Sequence, residues 1–305
     1  MVRFAARTKL PATESDAEIQ LVDIARLATV GCRLVRVRVP WTSFVPQPRR
    51  VDPSVRERLS AYIAGIRALG IEPHLSLCGR RVPGWFVDDL AFSDERHADR
   101  HWSFFVDEVI AGVDGEIGGV IPFETPLLAV HDLYAASLGP DNLDVRRFVS
   151  AVDCVTLLVR RTATLCGSLA VTCVLDRPAL LETGRMHGLS TLPNEAAHRF
   201  IDMVRDGDGR FTVGVDVSAH PRLSIASPPG YWVDTITDET VRIAESLPSC
   251  HFSLIGLPDR DEPDAVTELA AAAVHAATEI GDAGIAIDAV WLGDHTRMPT
   301  SAFPQ

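Results

Sequence analysis

The stretch Leu34-Val-Arg36-Val-Arg-Val-Pro-Trp41 reads as a β-strand, and its continuation sets the class of fold. Next come Val51-Asp-Pro53, a helical run to Gly70, and a second strand-like run in Ile71-Glu-Pro-His-Leu-Ser-Leu77. Over 53–69 the residues Val55, Leu59, Tyr62, Ile63, Ile66 and Leu69 recur at three- and four-residue intervals, an apolar stripe suited to face a sheet. Asp52-Pro53 supplies a cap residue and a helix-compatible proline at its start, and Gly70 stops it.

The same alternation extends in both directions. Strand-like runs fall at 2–6, 34–39, 73–77, 120–124, 169–175, 211–217, 251–255 and 285–291. Helical runs fall near 15–30, 53–69, 94–113, 144–165, 194–206, 235–247 and 262–281. Eight strands alternating with helices predict an α/β chain folded as one compact (β/α)8 TIM barrel over residues 1–305, with a doubly wound sheet as the main rival. Gly115-Glu-Ile-Gly-Gly119 and Gly207-Asp-Gly209 both precede strands, whereas a dinucleotide-binding fingerprint follows one, so neither supports a nucleotide fold. Only fourteen residues come after Trp291, which predicts a short or missing last helix.

Bulk properties narrow the function. A chain of 305 residues with 47% apolar content can bury a large core. A net charge of −12 argues against a nucleic-acid partner, since that affinity comes from Lys and Arg neutralising phosphates. Lys9 is the only lysine. The cysteines Cys32, Cys78, Cys154, Cys166, Cys173 and Cys250 are scattered, with no C-x-x-C and no paired His spacing, so no disulfide framework, metal or cofactor is expected. No apolar run suggests a leader or a membrane span, and a cytoplasmic protein is the default expectation. The sequence leaves the oligomeric state open.

Two further motifs complete a pattern: Val82-Pro83-Gly-Trp85, and Pro122-Phe123-Glu124-Thr125-Pro126. In order and spacing the chain resembles glycoside hydrolase family 1, where the corresponding pieces read Y-R-F-S-I-S-W, V-N-P, G-I-E-P, L-P-x-W and T-F-N-E-P. The resemblance covers residues 20–126 best and continues collinearly. Phe211-Thr-Val-Gly214-Val-Asp216 stands where the family has D-F-x-G-x-N-Y, and Cys250-His-Phe-Ser-Leu-Ile-Gly256 stands at its nucleophile strand. Such enzymes use two carboxylates about 5–5.5 Å apart, one as acid/base and one as nucleophile. Thr125 occupies the first position, and the second falls at Leu254 or its neighbours, with no Asp or Glu before Asp259. The His-Trp-Asp that holds sugar hydroxyls in the family is replaced by Gly79-Arg80-Arg81. What the resemblance implies is therefore the barrel, and not ordinary retaining hydrolysis.

Barrels place their chemistry at the C-terminal ends of strands. Glu124, at the family's Asn position, and Asp216 terminate strands, and Asp288 interrupts an apolar one. Leaving such carboxylates unpaired in an apolar setting is costly, so each needs a partner or a role. We take these three as the catalytic candidates and expect them to converge on one cavity with Arg36 beneath. Arg36 matches the family arginine that supports the nucleophile. Arg36, Arg80, Arg81, His220, Trp291 and Asp294 are the candidate substrate-binding residues: arginine forks suit carboxylate or phosphate, and Trp291 suits stacking on a ring. Asp176-Arg177 and His295 lie nearby in the pattern, and Trp41 and Trp85 read as packing. Cys78, beside Gly79-Arg80, lacks a base partner and makes a poor nucleophile candidate. The expected activity is non-standard acid/base chemistry on a small polar or glycoside-like molecule, a hydrolysis, elimination or cyclisation of specialised metabolism, with Glu124 as acid/base. The alternatives are a pseudo-glycosidase that binds a small molecule or carbohydrate and, behind it, a scaffold holding a partner on its acidic surface.

Overall fold

The computed structural model describes residues 2–113, 116–134, 145–176, 192–207, 209–216, 228–256 and 263–294. Eight parallel strands close into a barrel in sequence order: β1 (Arg3–Lys9), β2 (Cys32–Arg38), β3 (Glu72–Cys78), β4 (Gly119–Phe123), β5 (Ala170–Asp176), β6 (Phe211–Asp216), β7 (Phe252–Gly256) and β8 (Ile287–Asp294). Pairing of β1 with β8 closes the ring and rules out the doubly wound sheet.

Helices return the chain between strands: α1 (Glu14–Thr29), α2 (Trp41–Phe44), α3 (Pro53–Ala68), α4 (Gly84–Asp88), α5 (Glu95–Val113), α6 (Pro126–Tyr134), α7 (Val145–Leu165), α8 (Leu192–Arg205), α9 (Pro229–Ser246) and α10 (Pro263–Asp282). Local chemistry starts and stops them. Thr13 and Asp16 form a reciprocal capping box on α1. Asp52 caps α3 by accepting from the Ser54 and Val55 amides, with Pro53 in the first turn. Gly70, at φ +73°, turns the chain out of α3 in the left-handed region that glycine tolerates. The short helices α2, α4 and α6 go beyond the pattern expected from the sequence. Of these α6 matters most: it begins at the Pro126 that comes after Thr125.

Strand alternation separates two cores. Ala5, Leu34, Ile121, Val174, Ile255, Ala289 and Trp291 form a compact cluster drawn from six strands, which only the barrel's interior can bring together. Val35 and Val37 of β2 and Leu75 and Leu77 of β3 belong instead to the larger cluster under the helices, which includes Leu59, Ile63 and Ile66 of α3. Trp41 stacks on Phe105 at 5.1 Å, and the Trp85 indole N–H donates to the Val45 carbonyl at 3.0 Å, so both tryptophans pack the loops around the mouth.

Candidate functional site

The apolar floor limits how deep the site can reach, and the next inward-facing residues are polar. In β2 the face that carries Leu34 continues with Arg36 and Arg38, and in β1 the face of Ala5 continues with Arg7 and Lys9. Register sets Arg7 beside Arg36, and Arg36 beside His74 of β3. From the opposite side β5 and β6 end in Asp176 and Asp216, paired in register. A cavity of about 950 Å³ opens at these C-terminal strand ends, lined among others by Arg36, Arg38, Trp41, Glu124, Thr125 and Asp216.

Glu124 comes directly after β4, and its amide donates to the Cys78 carbonyl at 2.8 Å, which extends the β3–β4 ladder and fixes the residue. The residue is 6% exposed, and its carboxylate sits between two guanidiniums. Arg36 Nε lies 3.7 Å from Oε1, and Arg38 Nη2 contacts Oε2 directly. Gly79 makes room for this arrangement, since a Cβ there would lie 3.3 Å from Glu124 Oε2 and 3.5 Å from Arg38 Nε. Burial works to raise the Glu124 carboxyl, but the charges of Arg36 and Arg38 prevail and hold its pKa below the ordinary value. A carboxylate held ionised is a poor proton donor, which runs against the general-acid role expected of Glu124.

Asp176 is the opposite case. Its two oxygens accept from the Leu127 and Leu128 amides at 2.9 Å each, closing the N-terminus of α6. Burial nevertheless pushes its pKa up to about 7, with the neighbouring Asp216 charge adding to the rise. Arg36 is 2% exposed, and burial lowers its pKa to about 10 against the opposing pull of Glu124 and Asp216. Its guanidinium stands 5.7 Å from the centroid of the Trp291 ring, which lies buried in the floor.

The structure brings Glu124, Asp216, Arg36, Arg80 and Arg81 to one cavity. It does not bring Asp288. That residue is the second of β8, near the strand's N-terminal end, on the face opposite Ala289 and Trp291. There it meets His251 Nδ1 at 2.8 Å, so the pairing that its charge requires is met outside the barrel. Arg80 Nε donates to Asp132 of α6 at 2.8 Å. Trp291 faces inward as alternation requires, but beneath Arg36 and not among the cavity's lining. Asp294 ends β8 with its backbone in register with Arg7. His220, Arg177 and His295 lie outside the described residues. Burial pushes the Cys78 thiol far up, which excludes a resting thiolate.

In β7 the inward residue near the mouth is Ile255, while Leu254 packs outward under the helices. Arg38, Arg7 and Lys9 were missed in the sequence, although a signal for them exists: once Leu34 and Ala5 face inward, period two carries the same face to those cations. Among the described residues one group, Asp89, His97 and His101, places three possible metal-ligand atoms within 4.8 Å of one another. It lies at α4 and α5, and Arg100 Nη2 stands 3.4 and 3.5 Å from the two imidazoles, a positive charge that opposes a second cation there.

No family model matches the chain, and no curated protein matches it in sequence. Solved structures do. A β-glycosidase from Pyrococcus horikoshii superposes with a TM-score of 0.67 at 14% identity, covering 95% of this chain and 83% of that one. The chain has a glycoside hydrolase-like barrel fold. A β-glucosidase from Exiguobacterium marinum gives 0.66 at 13% identity over 95% of this chain and 87% of its own. The β-glycosidase BGL167 gives 0.65 at 17% over 90% and 76%. At such identities the glycosidase-like barrel is a likeness of fold.

Proposed function

We propose that this glycosidase-like barrel is an enzyme acting on a small polar or glycoside-like molecule at the strand C-termini, without a retaining carboxylate pair. The observation that carries the reading is the cavity itself: Glu124 and Asp216 share it with Arg36, Thr125 stands beside Glu124, and β7 turns Ile255 inward. Glu124, ionised between Arg36 and Arg38, orients those guanidiniums and stabilises positive charge. The proton belongs to the other side. Asp176 and Asp216 lie side by side in register, both buried, and two such carboxylates resist being ionised together. Asp176 is pushed toward holding its proton near neutrality, and Asp216, beside it in register and lining the cavity, is the group assigned to exchange a proton with the substrate.

The test is a screen of hydroxylated acids, glycosides and lactones for product formation, with Asp216→Asn as the control. Product that disappears in the variant supports the reading. A compound that raises the melting temperature in an Asp216-dependent way but is recovered unchanged would establish the second reading, a small-molecule-binding pseudo-glycosidase. The commitment of Glu124 to two arginines favours that reading, because it leaves the residue little freedom to titrate.

A further inference from the structure

The charge of the mouth runs against the charge of the chain. The whole sequence carries −12, yet among the described residues the cavity is lined by Arg7, Lys9, Arg36, Arg38, Arg80 and Arg81 against three carboxylates, Glu124, Asp132 and Asp216. The only lysine of the chain is among these cations. Stacking them is costly: Arg7 and Arg38 both bear on the buried Arg36 as like charges.

Hydrogen bonding points the same way. Arg36 is buried, lines the cavity, and has neither Nε nor Nη1 in a hydrogen bond, although Nε stands at ion-pair distance from Glu124. Trp41 also lines the cavity and is buried, and its indole N–H has no acceptor. Arg38 Nε is in the same position. These groups are all donors. Buried donors normally find acceptors, and three residues lining one cavity keep unpaired donors just beneath its surface, which favours a ligand rich in acceptors. A neutral polyol offers donors as well as acceptors and leaves the excess charge uncompensated. A carboxylate or phosphate offers acceptors alone, in the planar or forked geometry that guanidinium groups match.

We propose that the mouth binds a small organic anion, with its carboxylate or phosphate group set against Arg36 and the Trp41 indole and its remainder directed toward Glu124 and Asp216. This names the substrate class for the site proposed above and rests on that reading. Arg36 is the anchor because it is the most buried of the cations and has donors to spare. Lys9 and Arg81, both exposed at the rim, draw the anion in through the field of an otherwise acidic protein. Asp216, on the far side, is placed to meet hydroxyl groups.

Calorimetric titration of the full chain at constant, low ionic strength tests this with three probes: glucose 6-phosphate, glucuronate and glucose. At least one anion is expected to bind roughly tenfold or more tightly than glucose, with affinity falling as salt is added. The two anions separate a phosphate from a carboxylate preference. Arg36→Met should weaken the favoured anion by roughly tenfold or more, the loss of a charge-assisted contact. Because that variant leaves Glu124 with Arg38 alone and puts folding at risk, Lys9→Met and Arg81→Met are titrated in parallel. At least one of these exposed rim variants should weaken the anion by several-fold and leave glucose unchanged. Glucose binding as tightly as both anions would overturn the anion class and leave the mouth standing as a polar-molecule site. Failure of both anions to bind at millimolar concentration would also overturn it, whereas failure of the mouth itself is read separately, from the Asp216→Asn control in the product screen.

Discussion

At Glu124 one side chain decides between a chemical and a structural role. It is buried with two arginines, and its pKa is depressed, so it contributes stability that is present above the ordinary carboxylate value and lost as pH falls through its folded value. Glu124→Gln keeps the shape and removes the charge, which leaves Arg36 buried with no carboxylate at its Nε. Breaking a buried pair in this way costs about 3–5 kcal/mol. The variant is therefore expected to melt several degrees below the parent at pH 7, with the gap staying open down to about pH 4.5 and closing only below it. Equal melting temperatures at pH 7 would show that the ion pair contributes nothing and would restore Glu124 as a candidate proton donor. The need for a partner or a role was legible in the sequence. Arg36 was legible as a partner for Glu124, alongside Arg80, and the structure has that pair. Arg38, two residues beyond Arg36 on the same face of β2, was not singled out.

Among the elements, α6 and β6 carry separate tests. Asp176 closes the N-terminus of α6 through two amides, yet its pKa is raised from 3.8 to about 7. A carboxyl that binds its proton more tightly when folded makes the protein lose stability as pH rises from about 4 through 7. Asp176→Asn lacks that loss, so its melting temperature relative to the parent should climb between pH 5 and pH 8. A difference that stays flat or falls would mean that the α6 amides hold the group ionised. In β6, Gly214 faces the barrel interior, and a Cβ there would lie 2.5 Å from Ile255 Cδ1 and 3.1 Å from Thr172 Cγ2. Gly214→Ala should therefore cost about 1–3 kcal/mol by overpacking, read as a lower denaturant midpoint with an unchanged slope. Strands and long helices were legible because their periodic runs are long and strong. Helix α6 was not, because nine residues beginning just after Thr125 read as the tail of a strand motif. Asp288 was misplaced because an acidic residue in an apolar strand shows that it needs a partner, but not on which face or at which end.

On the scale of the whole molecule, a glycosidase-like barrel and a glycosidase are different claims. The fold was legible because five motifs fell in order along a β/α alternation, which by itself left a doubly wound sheet open until β1 was seen to pair with β8. Chemistry depends instead on a few atoms at the mouth, where a single substitution counts for more than the frame. Retaining hydrolysis needs one carboxylate able to donate a proton and another able to attack the anomeric carbon. Here Thr125 can do neither, Glu124 is held ionised, and the inward residue of β7 near the mouth is Ile255. On the proposed reading that the retaining carboxylate pair is lacking, purified protein is expected to release aryl aglycones from aryl β-glucosides many orders of magnitude below the rate of a working retaining enzyme. Spectrophotometric release assays across pH 5–8 measure this directly. Substantial metal-independent release, abolished by Glu124→Gln in a variant that remains folded, would mean that the displaced carboxylate has taken over the reaction and that its two arginines yield when substrate arrives.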